Sequence, residues 1–281
     1  MQGTTKNRDD SVVHGFGEEW ARFPQNVLAD SELQAVFDAY FAIFPWETLP
    51  CRAVGADIGC GSGRWAAVVA PKVGRLICLD ASADALGVAR RNLAAQDNVT
   101  FQRADVGELP IAEGQLDFVY SLGVLHHVPD TARAIVDIAR ILKPGGIFLL
   151  YLYYAFDNRP LWFRLLWKAS DWLRCRISRL PSLFRFFVCD LIAVLVYWPV
   201  ARFGALLDGM GITLRHYPLW FYRDKSFYVM RTDSLDRFGT RLEQRFTKHQ
   251  IIAMLEAAGF SNIIFSSRAP FWCAVACKCQ Q

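Results

Sequence analysis

Three carboxylates, a run of spaced glycines and a pair of imidazoles are the residues of this 281-residue chain whose types and spacing could do chemistry. Asp57-Ile58-Gly59-Cys60-Gly61-Ser62-Gly63 places glycines at alternate positions, so the backbone can turn sharply and approach a ligand with no Cβ in the way. Asp80 follows 17 residues after Gly63, where a carboxylate could accept from both hydroxyls of a ribose. Asp105, in Arg103-Ala104-Asp105-Val106, is suited to accept from an exocyclic adenine amine, and Asp57 at the lip of the first turn could hold an amino group. Each acid alone reads as a solvated loop residue or a helix cap; jointly they outline a nucleoside site. His126 and His127 add groups that titrate near neutral pH. One of them is a candidate general base, with His127 favoured; the competing role is a hydrogen bond to the loop backbone or a contact with the cofactor.

These residues need a scaffold that brings strand ends together. Short apolar runs at 53–58, 75–80, 99–104, 116–121 and 146–154 alternate with helical stretches at 64–71, 82–95 and 131–142, the pattern of a parallel sheet flanked by helices. Lys143-Pro144-Gly145-Gly146 stops the third helix. The right-handed crossover rule puts the carboxyl ends of all parallel strands along one edge, which is where the three acids and both histidines fall. Beyond residue 154 the pattern changes to several helices broken by Pro160, Pro181, Pro199 and Pro218. A helix over 247–258 and strands near 262–268 and 271–278, paired as a hairpin, complete the sheet. A dinucleotide fingerprint would place the third glycine one residue later, where Arg64 stands, which disfavours a nicotinamide-dependent oxidoreductase as the alternative on this sheet.

The combined set resembles the class I S-adenosylmethionine-dependent methyltransferases, in the branch that includes ubiquinone and menaquinone biosynthesis and many small-molecule enzymes. The matching pieces are the 57–63 loop, Leu79-Asp80-Ala81-Ser82, Ala104-Asp105 with Leu109-Pro110, Leu116-Asp117-Phe118-Val119 running into Leu125-His126-His127-Val128-Pro129-Asp130, and Leu142-Lys143-Pro144-Gly145-Gly146. The resemblance implies an α/β, doubly wound, Rossmann-like sheet of seven strands with an antiparallel last strand, plus a helical insertion after the fifth. It implies S-adenosyl-L-methionine as cofactor, with contacts at Asp57, Gly59, Gly61, Asp80, Asp105 and Ser121. Cys60, Gly63, Ala81, Val106 and Leu122 complete the expected cofactor lining. Methylation from a sulfonium needs the acceptor aligned behind the methyl carbon, and a base only where the acceptor is a hydroxyl or an enolisable carbon. Trp20 and Phe23, in an aromatic opening that includes Phe16, are expected on a flap that meets the substrate, or else anchor the N-terminal helix near 31–44; Tyr153, Tyr154 and Asp157 are the other candidate substrate groups.

The division expected is an N-terminal flap at 1–50, a core at 51–154 with 241–281, and an apolar, basic lid at 155–240. Residues 159–202 hold eight basic and two acidic side chains, a net +6 that leaves −2 elsewhere, together with Trp162, Trp167, Trp172 and Trp198. The uncharged apolar run from 191 to 201 is shorter than the roughly 17–25 residues of a bilayer span, and Pro199 would disturb a helix through it. A cap over the strand ends is therefore preferred, alone or with a homodimer contact, over peripheral membrane contact. The small overall charge of +4, with bases interleaved among apolar bulk, argues against nucleic acid and for a small-molecule substrate. A polar first fifteen residues and eight scattered cysteines, read as reduced thiols, suggest a cytoplasmic protein. Cys273, Cys277 and Cys279 lack metal-ligand spacing, so no metal is expected.

Overall fold

The computed structural model describes residues 7–24, 30–212 and 216–280; residues 1–6 and 25–29 of the expected flap lie outside them. The chain divides into two compact units, Met1–Ala155 with Leu242–Gln281, and Phe156–Arg241. The first opens with α1 (Asp10–Arg22) and α2 (Asp30–Phe41). It continues as β1 (Val54–Ile58), α3 (Arg64–Val69), β2 (Arg75–Asp80), α4 (Ala83–Asn92), β3 (Val99–Arg103), β4 (Leu116–Leu122), α5 (Thr131–Ile141) and β5 (Leu142–Tyr151). In the second unit lie α6 (Leu161–Ile177), α7 (Ser182–Ile192), α8 (Trp198–Gly209) and α9 (Phe227–Gly239); α10 (Lys248–Ala257), β6 (Phe260–Phe265) and β7 (Cys273–Lys278) return to the first.

The seven strands form one sheet in the order β3-β2-β1-β4-β5-β7-β6. β7 runs antiparallel to both β5 and β6, and the other pairings are parallel. Alternation along the strands feeds two cores, as a sheet covered on both faces requires. Phe118, Tyr120 and Leu149 pack with Phe37, Phe41 and Trp65 on one face. Val119, Phe148 and Leu150 pack with Ile135, Ile138, Ile251 and Leu255 on the other. Helix ends are written in the sequence: Ser82 caps α4 through the amide of Ala85, Asp130 caps α5 through that of Arg133, and Thr247 with Gln250 forms a capping box on α10.

Two elements depart from expectation. β5 begins at Leu142 and ends at Tyr151, because Leu142 pairs with Leu116 and draws the Lys143–Gly146 segment into the strand. α1 is a helix where the two glycines Gly15 and Gly17 argue against one. Its reason is tertiary: a Cβ on Gly17 would sit 2.7 Å from Ser82 Oγ, so glycine lets α1 approach the start of α4 closely.

Candidate active site

Past β1 the backbone turns through Gly59, Gly61 and Gly63 with φ of +77°, +54° and +78°, a region L side chains rarely enter. Space also demands glycine: a Cβ would lie 2.4 Å from the Val124 side chain at Gly59 and 2.9 Å from the Trp20 indole at Gly61. The turn is tied to β2. The amides of Gly59 and Cys60 donate to the Leu79 carbonyl at 2.8 and 3.0 Å, and that of Gly61 donates to Asp80 Oδ2 at 2.9 Å. Asp80 Oδ1 accepts from the Ser82 amide at 2.8 Å, so backbone orients this carboxylate while each oxygen keeps a lone pair for a ligand. Burial raises its pKa, and these amides oppose the shift.

The strand order places Asp105, Asp80 and Asp57 just past or at the ends of the adjacent β3, β2 and β1. Asp57 is buried beside the equally buried Tyr120 hydroxyl, and its Oδ2 makes no other hydrogen bond. Burial pushes its pKa up to about 8; the Tyr120 hydroxyl beside it opposes the shift most, Asp80 adds to it and Arg64 opposes it. A buried carboxylate is costly to ionise without a cationic partner, and an ammonium head would be one. Asp105 is engaged differently from expectation: Arg8 Nη1 bridges both its oxygens at 3.1 and 3.0 Å, and it caps no helix. The unforeseen partner is an arm preceding α1, held further by reciprocal 2.8 Å hydrogen bonds between Asn7 and the backbone of Asp130. Ser121 also differs. Its hydroxyl donates to the Ile58 carbonyl at 3.0 Å, joining β4 to β1, so the side chain is committed to the sheet. Cys60, Val106 and Leu122 are buried and Ala81 half-buried around the same strand ends.

His126 and His127 sit on a single turn, 125–127, after β4, with ring centroids 4.1 Å apart. The two rings are fixed in opposite senses. His126 Nδ1 accepts from the Tyr153 amide at 3.3 Å, and the ring stacks on Tyr153 at 3.8 Å. That assigns its proton to Nε2, and burial, aided by His127 and Arg245, holds its pKa well below the ordinary value. His127 Nδ1 lies 2.7 Å from the Leu242 carbonyl, which can only accept. The proton therefore belongs on Nδ1, and Nε2 carries the basic lone pair.

Sequence reasoning missed the segment that fixes these rings. Leu242 to Phe246 runs beside the turn: the amide of Gln244 donates to the His126 carbonyl at 2.9 Å, and its side chain donates to the Val128 carbonyl at 2.6 Å. Arg245 pairs with the buried Glu243 at 2.7 Å and lies over the Tyr153 ring at 4.9 Å. The charged triplet Glu243-Gln244-Arg245 is visible in the sequence, but nothing in its spacing ties it to residues more than a hundred positions earlier. α1 crosses the same edge: Phe16 packs on His127 at 4.9 Å, and one turn later Trp20 lies over Gly61. Phe23 departs from a substrate role, because it is buried at the end of α1 as an anchor. Tyr153 is at the site; Tyr154 faces Phe271 and Trp272 instead. Asp157 is exposed and belongs to the Phe156–Arg241 unit. Among the described residues, no group of three or more His, Cys, Asp or Glu is placed to hold a metal.

Residues 56–150 match the family described as a methyltransferase domain. The chain is similar to the uncharacterized methyltransferase YcgJ of Bacillus subtilis strain 168, 34% identical over 119 residues that span 41% of this chain and 47% of the relative. It is 33% identical to the demethylmenaquinone methyltransferase of Staphylococcus aureus strain JH9 over 146 residues, 45% of this chain and 61% of the relative. The matches thus cover less than two thirds of either relative. The fold is similar to that of phosphoethanolamine N-methyltransferase 2 of Haemonchus contortus in complex with S-adenosyl-L-methionine, with a TM-score of 0.50 at 17% identity over 93% of this chain and 44% of that one. Sheet order and glycine turn are those of the Rossmann-like class I methyltransferase fold, and residues 56–150 carry the matched methyltransferase domain. A buried acid beside a Cβ-free turn fits the ammonium head and ribose of S-adenosyl-L-methionine, the ligand of the Haemonchus contortus structure.

Proposed function

We propose that this chain transfers a methyl group from S-adenosyl-L-methionine to a small, rather apolar acceptor by in-line displacement, in the cytoplasm, with His127 as general base. The observation that carries this reading is the bond from His127 Nδ1 to the Leu242 carbonyl, which leaves Nε2, buried in the free protein beside the carboxyl edge of the sheet, as the basic nitrogen. Asp57 would pair with the ammonium head, Asp80 would accept from the ribose hydroxyls, and the backbone of the 59–63 turn would pack against the ligand. When bound, the sulfonium supplies an electrophilic methyl carbon. The chain's own work is then positional: strand ends and α1 hold the reactants in line, a term that can reach roughly 7–11 kcal/mol. His127 takes the acceptor's proton where that acceptor is a hydroxyl or an enolisable carbon, adding roughly 10²–10⁴-fold. No metal enters this scheme, and activity should survive EDTA.

A second reading of the acceptor, a membrane-borne lipid or quinone, draws support from the similarity to a demethylmenaquinone methyltransferase and from the apolar exposure of the Phe156–Arg241 unit. The decisive experiment is incubation with isotopically labelled methyl donor and cell extract, followed by mass spectrometry for labelled product. Calorimetry should find donor binding that Asp80→Ala abolishes. Binding of NAD in its place, or donor binding indifferent to Asp80→Ala, would overturn the proposal.

A further inference from the structure

The long helix of the Phe156–Arg241 unit turns its charged groups inward and its apolar groups outward over residues 183–206. α7 continues through a π-helical turn (Ala193–Tyr197) into α8, giving one helix of 28 residues, Ser182–Gly209. Its buried stripe is Arg185, Cys189, Ala193, Tyr197 and Ala201. The polar groups along this helix turn toward the rest of the unit: Asp190 meets Arg231 at 2.8 Å, the Tyr197 hydroxyl donates to Asp233 at 2.9 Å, and Arg202 donates to the carbonyls of Arg223 and Lys225. On the other side, every exposed residue from Leu183 to Leu206 is apolar. Leu183, Phe184, Phe187, Leu195, Phe203 and Leu206 are each more than half exposed. A helix facing water shows the reverse arrangement.

α6 supplies the other half of the pattern. It exposes Trp162 and Trp172 beside Arg164, Lys168 and Arg176, while its one acid, Asp171, is paired with Arg174. The whole unit has fourteen basic and seven acidic side chains, a net +7, against −3 for the remainder of the chain. We propose that this unit docks on the surface of an anionic lipid bilayer, with the Ser182–Gly209 helix lying in the interface, its apolar side in the acyl region, and the α6 cations on the headgroups. By length and composition the same helix could cross a bilayer, since it spans about 42 Å against roughly 30 Å of hydrocarbon. Crossing would also carry the polar side of its neighbour α9 into lipid, with Arg231, Asp233, Asp236 and Arg237. A second copy could cover the apolar side, but dimerisation alone gives no role to the exposed α6 cations. An anionic surface answers both features at once.

The inference does not depend on methyl transfer, and its test reads no activity. The full chain is floated with vesicles of phosphatidylcholine alone and of phosphatidylcholine with phosphatidylglycerol. Binding should be at least tenfold stronger to the anionic vesicles and should weaken as salt rises. The double variant Phe184→Glu with Phe187→Glu should lose at least tenfold in binding with an unchanged circular dichroism spectrum, because both positions are already exposed. Arg164→Glu with Lys168→Glu should remove the anionic preference. Equal binding to both vesicles, binding unaffected by either variant, resistance to alkaline carbonate extraction as for a spanning helix, or a stable dimer that ignores vesicles would each overturn the proposal.

Discussion

Asp57 and His127 are the two side chains where pH and substitution should speak most directly. Asp57 has a folded pKa of about 8, above that of an unfolded carboxyl. Most of it is protonated at pH 7 in the free protein, whereas the ionised form is the one that pairs with an ammonium group. Donor affinity should therefore rise as pH climbs through about 8, and Asp57→Asn should flatten that profile in calorimetric titrations. The stability consequence has the opposite sense. A raised carboxyl contributes its stabilisation below the ordinary carboxylate range and loses it as pH climbs toward about 8. Asp57→Asn should accordingly melt above the parent protein near pH 8, as differential scanning calorimetry would register.

At His127 the expected outcome separates chemistry from binding. His127→Asn should lower kcat by roughly 10²–10⁴-fold with donor affinity retained, because only the proton acceptor is removed. His126→Asn should act differently, since His126 is held neutral by burial and serves the Tyr153 amide. Losing that buried bond should cost stability of about 1–3 kcal/mol, measured by urea denaturation. The histidine pair is plain in the sequence, but its division of labour is not. Adjacent residues on a turn point apart, and which ring is buried depends on Tyr153 and on the carbonyl of Leu242, 115 positions away.

At the scale of elements, the 59–63 turn is the most demanding piece of backbone. Gly61→Ala should cost about 1–3 kcal/mol from the left-handed φ alone, and its Cβ would press on Trp20. Trp20→Ala in the same chain should recover the steric part of the loss and leave the backbone part, a non-additivity that a double-mutant cycle would measure. β2 was legible to the residue, Arg75–Asp80, because a continuous apolar run with an acid at its end leaves little freedom of assignment. α1 was not legible, since its glycines lower helix propensity and only the fit against α4 offsets them. Pro199 was expected to disturb a helix, yet the helix passes through it. Its ring sits in the first turn of α8, directly after the Ala193–Tyr197 π-turn, where the hydrogen-bond ladder has already shifted. The short run from 191 to 201 thereby becomes part of a 28-residue helix.

For the whole molecule, the distribution of charge and apolar surface matters more than the net value of +4. If the Phe156–Arg241 unit sits on a bilayer, the chain is concentrated where acceptors that partition into lipid are found. Label from the methyl donor should then be recovered mainly in the organic phase of a membrane extract; label confined to the aqueous phase would point to a polar acceptor.

Strand alternation, the glycine turn, the position of the three acids at strand ends and the helix caps were settled by the chain's own order of residues, because each depends on neighbours a few positions apart and on the one edge where parallel strands must end. The tertiary structure alone decided that Arg8 reaches Asp105, that Ser121 is spent on the Ile58 carbonyl, that Leu242 sets the proton on His127, and that the Ser182–Gly209 helix turns Asp190 inward to Arg231. Those contacts join residues from distant stretches of chain, and no local pattern of polarity encodes which of two distant partners a side chain will meet once the sheet has closed its order and buried the groups between them.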